Sequence, residues 1–225
     1  MSGGTIALLD LRGTGDSGGE HGDATWEGWR ADVVWAWYWL SQRVAVPSIL
    51  WGMRLGSLLA AELVSQCLVE PDVLLLWQPV ISGRGYFSQL LRLGTAQQLI
   101  GRADGGKATK TPHEMIDAGA SIEVGGYELN PELVKGAEAA DLSTIGVPAS
   151  RMIWHETSIN EPPVLSRAAS KIVSRWTDEG AKIESTVVRG PSFWATQEIA
   201  EAHELIAATS ASITAVFAPS AARAR

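Results

Sequence analysis

The sequence predicts an α/β fold in which a mostly parallel sheet is flanked by helices and interrupted by a helical insert. Short apolar runs bounded by turn residues, such as Val73–Trp77 after Glu70-Pro71-Asp72, are typical of buried strands. Such runs alternate with helix-length segments, which indicates parallel strands joined by right-handed crossovers. The chain of 225 residues, 46% hydrophobic and 19% charged, is long enough to bury a sizeable core.

The predicted elements follow one another along nearly the whole chain. The strands are predicted at Thr5–Leu9, Ser48–Trp51, Val73–Trp77, Ser121–Val124, Arg151–Trp154 and Lys182–Val188. The helices are predicted at Glu27–Arg43, Leu55–Val69, Phe87–Leu99, Pro131–Ala139, Ser166–Glu179 and Thr196–Phe217. We therefore divide the chain into a core (1–80 and 146–217), a cap insert (81–145) and a frayed tail (218–225).

Composition excludes several classes of protein. The net charge of −7 argues against a nucleic-acid binder, which needs a basic face, and the single cysteine excludes a disulfide framework and a cysteine-rich zinc site. Charged residues interrupt every long apolar stretch, so we expect no membrane span, and the uncharged start of the chain is unlike a signal peptide. The glycine-rich loop Gly13–Gly18 lacks the full dinucleotide-binding spacing and no Gly-Lys-Ser/Thr loop is present. We therefore predict a cytoplasmic protein without a cofactor or a metal.

The turn between the second strand and its helix reads Gly52-Met53-Arg54-Leu55-Gly56. A strand, a Gly-x-x-x-Gly turn and a helix form the setting in which hydrolases lift a nucleophilic serine above the sheet. Here the nucleophile position carries Arg54. A guanidinium stays protonated and offers no free lone pair, so it cannot attack a carbonyl carbon.

Five segments carry a resemblance to a known family: Trp51–Gly56, Leu75–Val80, Phe87–Leu93, Val124–Leu129 and Gly190–Ile199. The chain resembles the exosortase A system-associated hydrolases of the second type, within the α/β-hydrolase superfamily. The resemblance implies an α/β-hydrolase fold, a nominal ester or thioester hydrolase, and a bacterial exopolysaccharide and PEP-CTERM protein-sorting context.

The loop Asp10–Ser17 resembles the Asp-x-x-Gly-x-Gly-x-Ser loop of the same superfamily. Such proteins carry several strands before this loop, whereas here it begins ten residues from Met1. We therefore expect the chain to be short at its N-terminus. The exposed sheet edge or face would then suit a protein partner or a homodimer.

The remaining residues of a hydrolytic triad have only weak candidates. The loop Arg189–Trp194, where the superfamily places its histidine, contains none. His155 has the best position because it ends a predicted parallel strand, and Glu161 lies in the loop where a triad acid would sit. Ser57, on the first turn of the helix after Arg54, is the alternative nucleophile. Each also has an ordinary interpretation, as a polar residue, a solvated loop residue or a helix-packing residue.

Arg54 has two interpretations. A cation at a helix N-terminus attracts anions, which predicts a site for a small anionic or acyl ligand formed by Arg54, Met53, Asp10, Trp77 and Trp194. Alternatively, Arg54 pairs with an internal acid, Asp10, Glu156 or Glu161, and fills the pocket. Three functions remain open at this point: a ligand-binding pseudoenzyme, an active hydrolase with a non-standard nucleophile, and a structural partner subunit.

Overall fold

The computed structural model describes residues 5–44, 47–101, 110–195 and 200–218. The helices are α1 Trp26–Ser41, α2 Leu55–Ser65, α3 Gly83–Gly101, α4 Pro112–Asp117, α5 Pro131–Ala139, α6 Arg167–Asp178 and α7 His203–Phe217. The strands are β1 Ile49–Met53, β2 Val73–Trp77, β3 Ile122–Val124, β4 Tyr127–Leu129, β5 Arg151–Ser158 and β6 Lys182–Arg189. These ranges confirm most of the predicted elements to within a few residues.

The contacts divide the chain into two compact units. The sheet unit takes in the described residues of Met1–Thr5, Ala45–Val80 and Ile145–Arg225, and the helical unit takes in Ile6–Val44 and Ile81–Thr144. The sequence placed residues 6–44 with the sheet, whereas their contacts group them with the insert. That residues 81–145 act as a cap stays a prediction.

The described residues of the sheet unit form a four-stranded, wholly parallel sheet in the order β1-β2-β5-β6. Strand β2 is buried over Val73–Leu76, as expected of a central parallel strand covered on both faces. Because parallel strands point the same way, their carboxyl ends meet at one edge. Met53, Trp77 and Arg189 end three of these strands there.

Two layers of helices cover this sheet. On one face, the buried rings of Trp154 on β5 and Trp176 on α6 lie with their centroids 6.2 Å apart. On the other, Ile153 joins a core cluster with Val216 on α7. Neighbouring residues of a strand point to opposite faces, so α6 and α7 lie on opposite sides of the sheet.

The helical unit is built from well-capped helices and one hairpin. The Thr25 hydroxyl accepts a hydrogen bond from the backbone N–H of Gly28 and so caps α1, while Asn130 caps α5 ahead of Pro131. Strands β3 and β4 pair antiparallel across Gly125-Gly126, whose φ angles of 61° and 86° suit a tight hairpin turn. No helix among the described residues combines the length and apolarity needed to cross a bilayer.

Two predicted elements differ from the structure. The strand expected at Thr5–Leu9 is wrong: the segment has no regular structure, and Ile6 and Leu8 are 87% and 93% exposed. An apolar run becomes a strand only when a neighbouring strand satisfies its backbone groups, and none pairs with it in the described parts. Helix α7 begins at His203 rather than Thr196, and Thr196–Ile199 lie outside the described residues.

The two glycines of the turn between β1 and α2, Gly52 and Gly56, differ in the space available for a side chain. A Cβ on Gly52 would lie 2.5 Å from the carbonyl oxygen of Gly56 and 2.7 Å from the Cα of Ser57, whereas a Cβ on Gly56 meets nothing within 4 Å. Only Gly52 is therefore required by close packing of β1 on α2.

We predict that Gly52→Ala lowers the free energy of unfolding by about 2 kcal/mol or more, because backbone must move to admit the methyl group. The matched substitution Gly56→Ala is expected to be neutral or stabilising by up to about 1 kcal/mol, since alanine favours a helix. Urea unfolding followed by tryptophan fluorescence measures both. Equal losses in the two variants would show that the close approach at Gly52 is not what the turn depends on.

Candidate functional site

The turn between β1 and α2 holds Arg54 in a strained backbone conformation. Its φ of 53° and ψ of −120° lie in a region that residues with a side chain rarely adopt. The Arg54 N–H donates to the Trp77 carbonyl at 2.9 Å, and the Arg54 carbonyl accepts from the N–H groups of Ser57 at 3.0 Å and Val80 at 3.2 Å. The sharp turn predicted from Gly52-Met53-Arg54-Leu55-Gly56 is thus present, and an arginine occupies its apex.

The half-buried Arg54 side chain contacts two neighbours at the carboxyl edge of the sheet. Nη1 donates to the Gln78 carbonyl oxygen at 3.2 Å, and the guanidinium carbon lies 4.5 Å from the centroid of the Trp194 ring. A guanidinium over an indole face is a favourable cation–π arrangement. The prediction grouped Arg54 with Trp194, and the structure brings these two together.

The Gln78 carbonyl that accepts from Arg54 is held in place by further hydrogen bonds of Gln78. Gln78 was not identified as a site residue from the sequence. It follows β2 with a φ of 42°, its N–H donates to the His155 carbonyl at 2.8 Å, and its Oε1 accepts from the Thr157 N–H at 2.8 Å. These bonds fix the peptide whose carbonyl faces Arg54. No local sequence pattern predicts that a glutamine adopts a positive φ.

Aromatic rings form a continuous series that ends on Arg54. The centroid distances are 4.8 Å for Trp51–Trp77, 6.1 Å for Trp77–Phe193 and 5.1 Å for Phe193–Trp194, all edge-to-face. We call these four residues the aromatic row. The Trp77 Nε1–H donates to Thr209 Oγ1 on α7 at 2.7 Å, which fixes the middle of the row. Trp77 and Trp194 were predicted, whereas Trp51 and Phe193 were not.

A buried acid, Glu156, lies within the electrostatic reach of Arg54. Burial raises the pKa of its carboxyl group, while hydrogen bonds from the Trp154 Nε1–H, at 2.8 Å, and the Ser166 N–H and the charge of Arg54 act in the opposite direction. Burial therefore disfavours the charged form of the Glu156 carboxyl group.

The other two acids proposed as partners of Arg54 have different surroundings. Glu161 is exposed, and its Oε2 lies 3.7 Å from Nη1 of the exposed Arg189. Asp10 belongs to the helical unit, where its carboxylate accepts the Asp16 N–H at 3.0 Å. Neither of these contacts involves Arg54, whereas the charge of Arg54 acts on the buried Glu156.

Ser57, the alternative nucleophile, is fully buried at the start of α2. Its hydroxyl donates to the Gly52 carbonyl at 2.7 Å and lies 3.3 Å from the Trp77 carbonyl. These contacts tie the helix to the ends of β1 and β2 and favour the helix-packing interpretation.

His155 lies inside β5 rather than at its end, because pairing with β6 continues three residues further to Ser158. The side chain is fully buried, and neither ring nitrogen has a hydrogen-bond partner among the described residues. Burial lowers the pKa of His155, while the charge of Glu184 on β6 and a backbone contact at Trp154 oppose that shift. Such a histidine has no path to a substrate, which favours the ordinary interpretation over that of a triad base.

The fold also occurs in solved structures. Est1E from Butyrivibrio proteoclasticus with bound ferulic acid is similar at 13% identity and a TM-score of 0.55, over 90% of this chain and 72% of that one. A second Est1E structure gives 12% identity and a TM-score of 0.54, over 88% and 73%. One of the metagenome-derived lipolytic enzymes LipS and LipT gives 15% identity and a TM-score of 0.49, over 90% and 78%.

These likenesses show an α/β-hydrolase fold, as the sequence predicted. No protein-family model matches the chain. No curated protein matches it either.

We predict that acidification destabilises the protein through His155. Its folded-state pKa lies below the unfolded value of 6.5, so the unfolded chain binds a proton first and stability falls as the pH drops below about 6.5, by at most about 1.4 kcal/mol per pH unit. His155→Phe is expected to remove this contribution. Urea unfolding at about pH 7.5 and about pH 5.5 measures it.

His203→Gln provides the matched control. His203 is exposed, so removing its imidazole does not change any buried titratable group. An unchanged pH slope in His155→Phe would contradict the assignment.

Proposed function

We propose that this protein is a catalytically inactive α/β-hydrolase relative that binds a small anionic ligand at Arg54. The observation that carries the proposal is the position of Arg54 at the apex of the turn between β1 and α2. Three backbone hydrogen bonds hold Arg54 in this strained turn. The turn that lifts a nucleophile in hydrolases here lifts a permanent cation.

The surroundings of Arg54 support binding rather than catalysis. The described loop after β6, residues 190–195, contains no histidine, and its Trp194 ring lies against the guanidinium. Ser57 Oγ is engaged by main-chain carbonyls, and the buried His155 lies out of reach of solvent. These features of the described residues support the view that the protein does not perform the ester or thioester hydrolysis implied by the family resemblance.

An anion is the ligand that this site favours. A guanidinium offers paired N–H donors to a carboxylate or phosphate, and such charge-assisted hydrogen bonds are the strong ones. The Arg54 guanidinium lies at the carboxyl edge of the sheet, against the Trp194 ring and the Gln78 carbonyl, where it can offer such donors to a ligand. The ferulic acid bound to Est1E makes aromatic carboxylates sensible first probes.

The remaining parts of the prediction belong to this proposal as well. They are a cytoplasmic location, an exosortase-associated gene context, and a protein partner or second copy on the sheet. The exposed state of the single described cysteine, Cys67, suits a reducing compartment.

Calorimetric titration of the full chain with ferulate, benzoate and phosphate tests the proposal. Arg54→Gly is expected to weaken binding by about tenfold to a hundredfold, the loss of one charge-assisted hydrogen bond, while glycine accepts the positive φ without strain. Arg189→Ala removes an exposed arginine of the same unit and should leave binding unchanged.

Two results would count against the proposal. Equal affinity in Arg54→Gly removes Arg54 from the site. Specific labelling by a fluorophosphonate probe that disappears in Ser57→Ala would instead support an active hydrolase.

A further inference from the structure

Strand β1 carries an apolar strip directly before Arg54. Trp51 and Met53 are two residues apart, so their side chains share one face of the strand, and they are 43% and 50% exposed. Among the described strands, β1 is one of the two edge strands of the four-stranded sheet. We call Trp51 and Met53 the β1 strip.

The β1 strip is continuous with the cation. Met53 pairs in register with Trp77 and immediately precedes Arg54, and the Trp51 ring begins the aromatic row whose last member, Trp194, stacks on the guanidinium. The apolar β1 strip therefore adjoins the positively charged Arg54. No residue with a polar side chain lies between Trp51 and Arg54 in the sequence.

We infer that the ligand of the proposed site is an amphiphilic carboxylate, with its carboxylate on Arg54 and its alkyl chain along the β1 strip. This inference rests on the proposed function and specifies its ligand. The guanidinium selects an anionic head group, and the half-exposed Trp51 and Met53 gain by covering apolar surface. A short carboxylate can bind the guanidinium but cannot cover Trp51 and Met53.

The dimensions of the strip set the expected dependence on chain length. Arg54 follows Trp51 by three positions, which corresponds to about 10 Å of extended backbone and suits a medium-length alkyl chain. Complete burial of a methylene strengthens binding about fourfold, so a half-exposed strip gives about twofold per methylene. From butanoate to octanoate we therefore expect affinity to rise by about tenfold or slightly more.

Calorimetric titration of the full chain with butanoate, hexanoate and octanoate, below their micellar concentrations, tests the inference. Met53→Ser and Trp51→Ala should reduce the ratio of octanoate affinity to butanoate affinity, measured within each variant, to about threefold or less. Met53 is half exposed, so its serine variant is expected to stay folded, and thermal unfolding checks this for both. Leu68→Ser, on a residue of the same unit that is 45% exposed and lies after α2, is the control for non-specific chain binding.

The outcomes separate this inference from the proposed function. If the carboxylates bind with Arg54-dependent but equal affinities, the alkyl-chain assignment is overturned and the anion site stands. If none binds, or if Arg54→Gly changes nothing, the anion site itself fails. If Leu68→Ser reduces the chain-length gain as much as Met53→Ser does, the strip is not the binding surface.

Discussion

The backbone of Arg54 is the constraint on which the candidate site depends. Its N–H and carbonyl groups bond to Trp77, Ser57 and Val80, and these bonds keep a non-glycine residue at positive φ. Such a conformation costs on the order of 1–3 kcal/mol and persists only where the surroundings over-determine it. Close packing of Gly52 against the start of α2 also holds this turn in place.

The position of the charge follows from this turn. Because the apex of the turn stands at the carboxyl edge of a parallel sheet, the guanidinium meets groups that other strands deliver there: the Gln78 carbonyl after β2 and the Trp194 ring after β6. The same edge binds ligands in open α/β sheets generally. What distinguishes this site is its chemistry, a guanidinium among aromatic rings at the apex of the turn.

Local patterns predicted much of the fold and, in the candidate site, the proximity of Arg54 and Trp194. Strand Val73–Trp77 and helix Pro131–Ala139 have the predicted bounds, because an apolar run after a proline turn and an Asn-Pro helix start are decided by neighbouring residues. The segment Thr5–Leu9 failed because strand formation needs a partner that its own sequence cannot supply. In the site, Arg54 was found from the Gly-x-x-x-Gly spacing.

The unpredicted site residues depend on contacts between distant parts of the chain. Trp51 and Phe193 join the aromatic row only once β1, β2 and the loop after β6 are side by side. Gln78 matters through its unusual backbone angle, which no periodicity reports. The burial of His155 depended on how far β5 continues, which was set by pairing with β6.

The central claim is that Arg54 itself contacts a ligand anion, and side-chain NMR of the arginine Nε–Hε groups tests it most directly. With the Arg54 signal assigned by its disappearance in Arg54→Lys, titration with octanoate should shift that signal saturably and more than the signal of Arg189. An Arg54 signal that stays in place while other signals move would contradict the account.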